Sequence, residues 1–272
     1  MQKLRILFIT SEIEPFLKIT SAADVIRMLP QGLQELGHEI RILMPKFGII
    51  NERRNRLHEV VRLSGINIRV GNEEKPLTIK VASIPNAKLQ VYFLDNLDYF
   101  NRKSALINPE NNEFYADNDE RLIFFCKGAI ETVKKLGWPP DIIHCHDWMT
   151  SLVPLYMKTY YKDDPMFKNT KVVYSVYDNH ITTPLSDNFV EKASLDMGSS
   201  DLLKGFAKMN YPGISMGGVS FADAIVRAGV DFGDTVEKEL AIGNKPVLAA
   251  VSAEDKKEYI GQFHRLYCDI LN

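Results

Sequence analysis

Residues Ile6–Gly48 read ILFITSEIEPFLKITSAADVIRMLPQGLQELGHEIRILMPKFG, and their order decides the fold. Leu4–Thr10 is almost wholly apolar, as befits a strand covered on both faces. A polar loop carrying Lys18 follows it. Ala22, Val25, Ile26, Leu29, Leu33 and Leu36 then recur at three-and-four spacing, the stripe of an amphipathic helix. Ser21 is a good type for its N-cap, and Gly37 suits its C-cap. Pro30 lies inside the stripe and predicts a kink or a break. Glu39–Met44 is the next strand. Strand, loop, helix, strand is the opening unit of a doubly wound parallel sheet, in which ligands meet the loops at the carboxyl ends of strands.

Outward from this unit, the runs 60–70, 77–84 and 89–94 are short and strand-like, with a turn signal at Gly71-Asn72. Such close spacing predicts a hairpin or meander added to the sheet. Helical periodicity returns over 117–136 and stops at Trp138-Pro139-Pro140. A buried strand over 141–145, a helix over 151–160 and a strand over 171–176 come next. The stretch 178–215 contains loop, and Ala222–Val226 is expected to be the last strand. Ser252 can cap a helix over 254–271 whose apolar stripe runs from Tyr259 to Leu271. The alternation favours α/β, with a doubly wound, mostly parallel sheet in residues 1–250 and a C-terminal helix in 251–272.

Composition narrows the function classes. Of 272 residues, 45% are hydrophobic and 25% charged, and the net charge is −2, so nothing suggests a nucleic-acid or membrane partner. Three scattered cysteines suggest free thiols in a reducing compartment. Neither a signal peptide nor a bilayer-spanning apolar run is visible, so a cytoplasmic location is expected.

Three places can carry chemistry. Lys18 precedes a helix N-terminus, where an anion is favoured; the alternative is a solvated lysine. No glycine lies between Ser11 and Ser21, and no dinucleotide fingerprint is present, which argues against a nicotinamide enzyme. In Asp141–Trp148 (DIIHCHDW), alternation puts His144 and His146 on one face. They could serve zinc, given further ligands, or, with Asp147 and Trp148, a sugar. Alternatively His144 is a core histidine and Asp147 caps the following helix. The loop Tyr177-Asp178-Asn179-His180 ends a strand on the same side. Tyr99, Phe100 and Tyr115 are the credible surface aromatics for stacking on sugars. Hydrolase signatures such as G-x-S-x-G are missing.

Together these motifs resemble the N-terminal domain of bacterial glycogen and starch synthases. ILFITSEIEPFLK, ADV and LPQGLQELGHEIRILMPKFG are similar to that family's opening. VYFLDN with YADNDER is similar to its middle, PDIIHCHDW to its histidine–aspartate–tryptophan turn, and KVVYSVYDN and FADAIV to its later strands. The resemblance implies a single Rossmann-like sheet, the N-terminal half of a GT-B glycosyltransferase, with the C-terminal helix of 251–272 packing back on it. It implies glucosyl transfer from a nucleotide-glucose, usually ADP-glucose, to an α-1,4-glucan, without metal or cofactor. It assigns Asp147 to the active site and Lys18, His146, Trp148 and Tyr177 to substrate binding.

This chain departs from the family in several places. Thr20 and Ser21 replace both glycines after Lys18. Tyr177 stands in place of a histidine, Asp178 of an asparagine and Met216 of a lysine. After Val226 no second Rossmann domain follows before the terminal helix. The expectation is therefore an acceptor-side half, inactive alone, needing a separately supplied donor-binding domain. The alternatives are a non-catalytic glucan-binding or regulatory protein, or self-association through the open face. α-Glucan or sugar nucleotide is the expected small-molecule partner.

Overall fold

A computed structural model describes residues 3–178, 183–194, 200–206, 211–229, 232–242, 244–249 and 254–272. β1 (Arg5–Ile9) leads through the Lys18 loop into α1 (Ala22–Glu35) and β2 (Glu39–Pro45). The meander follows as β3 (His58–Glu59), β4 (Ile66–Val70), β5 (Glu73–Ser83) and β6 (Gln90–Asp95). A one-turn helix α2 (Leu97–Phe100), a small ribbon of β7 (Ile107–Asn108) and β8 (Glu113–Phe114), and the long α3 (Asn118–Leu136) complete the middle. Then come β9 (Ile142–His146), α4 (Leu152–Lys158), β10 (Lys171–Val176), α5 (Phe189–Ser194) and α6 (Tyr211–Phe221). The chain finishes with β11 (Ala224–Arg227), α7 (Gly233–Ile242), β12 (Val247–Leu248) and α8 (Lys256–Leu271).

Among the described residues one sheet runs β12-β11-β10-β9-β1-β2-β6-β5-β3, with β4 paired to β5. From β12 to β6 every pairing is parallel, and the meander is antiparallel. β1 lies between β2 and β9, so the order of connections reverses there. The carboxyl ends of β1 and β9 therefore open a crevice, the place where doubly wound sheets bind ligands. Among the described residues no helix is long and apolar enough to cross a membrane.

Several details differ from expectation. α1 runs through Pro30 without a break. Its missing hydrogen bond costs about 3 kcal/mol, but Ile26, Leu29 and Leu33 are fully buried, at roughly 2 kcal/mol each. Ser21 makes no side-chain cap; the Thr20 hydroxyl takes the Ala22 N–H instead. The expected helix over 151–160 is shorter, preceded by a turn of 3-10 helix at Trp148–Thr150. Ala222–Val226 is not the last strand, because β12 adds two residues beside β11. Tyr99 and Phe100 are not surface aromatics: the Asn96 side chain caps α2 and turns both into the core. Asp255, not Ser252, caps α8, and Ser252 lies outside the described residues.

α8 crosses the molecule to lie on α1. Gly32 makes this approach possible, since a Cβ there would come within 1.9 Å of the Ile260 side chain. The His38 and His264 rings meet at 3.1 Å, and His38 Nδ1 accepts the Leu4 N–H. Further along, the Tyr267 hydroxyl reaches His144 Nδ1 at 2.6 Å, at the floor of the sheet beneath the crevice.

Candidate functional site

Three strand ends supply the crevice. β1 continues into Ser11 and Glu12, β9 into Asp147 and Trp148, and β10 into Tyr177. Asp147 stands at φ 70°, a conformation a non-glycine residue rarely holds. The Thr150 N–H and hydroxyl both bond its carbonyl and keep the turn in place. Burial, with the charge of Glu12 acting the same way, pushes the pKa of its carboxyl up to about 7, against the opposing pull of the nearby Trp148 N–H and Ser11. Its Oδ1 has no partner among the described residues. The aspartate therefore does not cap the following helix by its side chain.

His146 lies beside it, 1% exposed. Its Nδ1 is 2.9 Å from the Tyr177 hydroxyl, and its Nε2 is buried with no partner among the described residues. Burial lowers its pKa to about 3, so the ring is neutral at ordinary pH. The same burial, with nearby negative groups, drives the Tyr177 hydroxyl well above its usual value. Two buried polar atoms on neighbouring residues, Asp147 Oδ1 and His146 Nε2, thus have no partner among the described residues. Such atoms are costly unless something bonds them.

His144 belongs to the scaffold. Its nitrogens go to the Tyr267 and Ser175 hydroxyls at 2.6 and 2.7 Å, so neither is left for a metal. Its ring packs 4.0 Å from that of His146, which it supports from below. Among the described residues no group of histidine, cysteine and carboxylate is arranged to hold a metal ion.

The loop after β1 forms the crevice's other side. Lys18 is about half exposed, and its ammonium pairs with Asp24 at 2.6 Å. Glu12 is 2% exposed and was not singled out by sequence reasoning. Its carboxylate accepts the N–H groups of Ile19 and Thr20 at 2.6 and 2.8 Å, and the Thr20 hydroxyl. The one sequence signal for it is an acidic residue two positions past a buried strand, in the loop class that meets ligands.

Lys18, His146, Asp147 and Tyr177 thus lie at or after the carboxyl ends of β1, β9 and β10, which share one end of the parallel sheet. Trp148 is nearby but its indole is buried against Phe114, 5.6 Å between centroids, so it packs rather than presents a face. Asp178 is described, whereas Asn179 and His180 lie outside the described residues. Met216 is buried in α6.

Residues 5–228 match the family model of the starch synthase catalytic domain. The glycogen synthase of Chlorobium phaeovibrioides is 36% identical over 254 residues, 93% of this chain and 51% of that protein. That of Chlorobium luteolum is 39% identical over 212 residues, covering 77% of this chain and 43% of the relative. The catalytic domain of Starch Synthase IV from Arabidopsis thaliana, bound to ADP and acarbose, superposes with a TM-score of 0.75 at 19% identity, over 92% of this chain and 52% of that one. That likeness establishes a shared fold, the mostly parallel α/β sheet of a GT-B glycosyltransferase. The chain spans about half or less of the length of the curated relatives it matches.

Proposed function

The chain belongs to the starch synthase catalytic-domain family, and on that premise we propose that residues 1–250 form the acceptor-side wall of a glucosyltransferase cleft, with the terminal helix packed behind it. The reaction is transfer of glucose from a nucleotide-glucose, such as ADP-glucose, to an α-1,4-glucan in the cytoplasm. A domain outside these 272 residues holds most of the nucleotide. Asp147 is the active-site carboxylate, Lys18, His146 and Tyr177 bind substrate, and Trp148, expected to bind substrate, instead packs on Phe114 beside the site. One observation carries this reading: Asp147 Oδ1 and His146 Nε2 are buried, adjacent in sequence and unpaired among the described residues at the switch point of the sheet. A sugar hydroxyl can donate to one and, with its lone pairs, meet the other. An apolar ligand would satisfy neither.

Transfer in such a cleft requires water to be excluded and the leaving diphosphate to be stabilised. A single wall provides neither. The test is calorimetric titration of maltoheptaose, paired with an assay for ADP release from ADP-glucose and glycogen. The expected result is maltoheptaose binding that Asp147→Asn weakens about tenfold, equivalent to one lost good hydrogen bond at a charged group, with no ADP release by the chain alone. Maltoheptaose binding unaffected by Asp147→Asn would overturn the site. Brisk ADP release by these residues alone would overturn the single-wall assignment.

A further inference from the structure

On the side of the molecule away from the crevice, α8 is held by a contact between two imidazoles. His38, just before β2, is 4% exposed. His264, half-buried on α8, brings its Nδ1 to 3.1 Å from His38 Nε2. Their partners fix the tautomers. His38 Nδ1 accepts the Leu4 N–H at 3.1 Å, so that nitrogen carries no proton. The proton of neutral His38 is then on Nε2 and points at His264 Nδ1, which accepts it. Neither ring can take a second proton in place. A proton on His38 Nδ1 would face the Leu4 N–H, and one on His264 Nδ1 would face the His38 Nε2–H. Both are donor against donor.

The surroundings do not compensate a charge on either ring. His38 shares a cavity with Lys3, Glu39, Arg41 and Lys88. Its one carboxylate, Glu39, already pairs with Lys3 and Arg5 and accepts the Trp138 indole N–H. His264 lines a groove with Glu35, Lys256, Lys257 and Arg265. There Glu35 accepts the Gln31 amide, and Arg265 pairs with Glu258 on its own helix. The Cys268 sulfur lies 3.8 and 3.9 Å from the two His264 nitrogens. Burial first, and then the His264 ring, lower the His38 pKa below its ordinary 6.5.

We propose that the His38–His264 contact is an acid-sensitive latch: α8 is fully seated on α1 and the sheet only while both rings are neutral, and a proton on either one weakens its hold. The same helix lays Ile260 over Gly32 and sets Tyr267 on His144, beneath His146. Loosening α8 therefore loosens the floor of the crevice, whatever ligand the crevice takes. The stability that the latch contributes is complete above about pH 6.5 and is lost as pH falls from there through the lowered folded value of His38. Buried Asp147 has the opposite sign, since its folded pKa is raised. The test must therefore isolate the histidine pair from the rest of the titration.

That test compares amide hydrogen exchange of α8 in the wild-type chain and in His38→Asn, at about pH 7.5 and about pH 5.5, after correction for the intrinsic pH dependence of exchange. The asparagine oxygen can accept the Leu4 N–H without titrating, and it leaves His264 without the imidazole N–H opposite it. A released imidazole of ordinary pKa favours the open state about tenfold more at the lower pH. The fall in α8 protection between the two pH values should thus be about tenfold larger in the wild type than in His38→Asn. This difference belongs to the latch whether α8 opens alone or with the whole fold, and the contributions of Asp147, His144 and His146 cancel in it. Falls that agree within about twofold would overturn the proposal. A nitrogen NMR spectrum of the wild-type imidazoles is the second measurement, and it decides if His38→Asn does not fold. It should show His38 protonated on Nε2 alone near neutral pH and titrating below its ordinary value. A His38 that carries its proton on Nδ1, or that titrates at the ordinary 6.5, would equally overturn the latch.

Discussion

Asp147 stores two costs in one residue: a left-handed backbone and a buried carboxyl with an oxygen unpaired among the described residues. Strain of this kind persists where the surroundings hold it, often at sites of function. Its pH signature has a definite sign. The pKa is raised from its ordinary 3.8 to about 7, chiefly by burial, so the folded state holds this proton more tightly than the unfolded chain. The stability it contributes is complete below the unfolded pKa and is lost as pH rises through about 7. At about 1.4 kcal/mol per unit, the ionised form costs the fold roughly 4 kcal/mol. Asp147→Asn removes that ionisation. Urea melts should find the variant close to wild type near pH 4 and more stable by a few kcal/mol at pH 8. A stability difference that does not change with pH would rule out a neutral buried acid. The neighbouring His146 was legible in the sequence because alternation and the strand end place it there. Glu12 was not, since its role depends on a loop folding back to offer amides seven and eight residues away. Trp148 was legible as a neighbour of the site, but its burial under Phe114 depends on the β7–β8 ribbon, whose two-residue strands carry no periodic signal.

The elements that frame the crevice hold one another by close backbone approach. After β2, the Gly48 N–H donates to the Phe100 carbonyl at 2.6 Å, and a Cβ on Gly48 would stand 2.4 Å from the Arg102 carbonyl oxygen and 2.6 Å from its nitrogen. Both are backbone atoms, which no rotamer change can move aside. Arg102 is in turn held by both oxygens of Asp117 and lies over the Tyr115 ring. Gly48→Ala should therefore cost about 1–3 kcal/mol, the usual range for overpacking. It should appear as a lower urea midpoint with an unchanged slope; a midpoint within error of wild type would show that the segment shifts freely. Elements with strong periodicity, such as α3, β9 and β10, fall where their patterns put them. β12 escaped because two residues cannot show alternation. α1 kept its length because three buried side chains outweigh one proline, a balance that local propensity alone does not contain.

At the scale of the molecule, α8 ties the far side of the sheet to the crevice. It buries Tyr259, Ile260, Phe263, Leu266 and Tyr267 against α1 and the strands. The amphipathic stripe announced a buried face but not its destination, because nothing in a helical period names the surface it meets. That destination is now specific: Ile260 over Gly32, His264 on His38, and Tyr267 on His144. At roughly 2 kcal/mol for each of these side chains, the helix contributes as much as the whole net stability of a typical domain, about 5–15 kcal/mol. Removing residues 254–272 should therefore leave a chain that expresses insolubly or melts without a cooperative transition, as seen by circular dichroism. A sharp transition near the wild-type temperature would mean that the helix rests on the fold without supporting it. Tyr267→Phe separates packing from hydrogen bonding. It leaves the ring in place but orphans His144 Nδ1 in a fully buried setting, at a cost of about 1–3 kcal/mol. Since His144 lies 4.0 Å beneath His146, the same substitution should weaken maltoheptaose binding as well as stability, whereas a helix acting only as cover would lower the urea midpoint and leave the sugar affinity of the folded fraction unchanged.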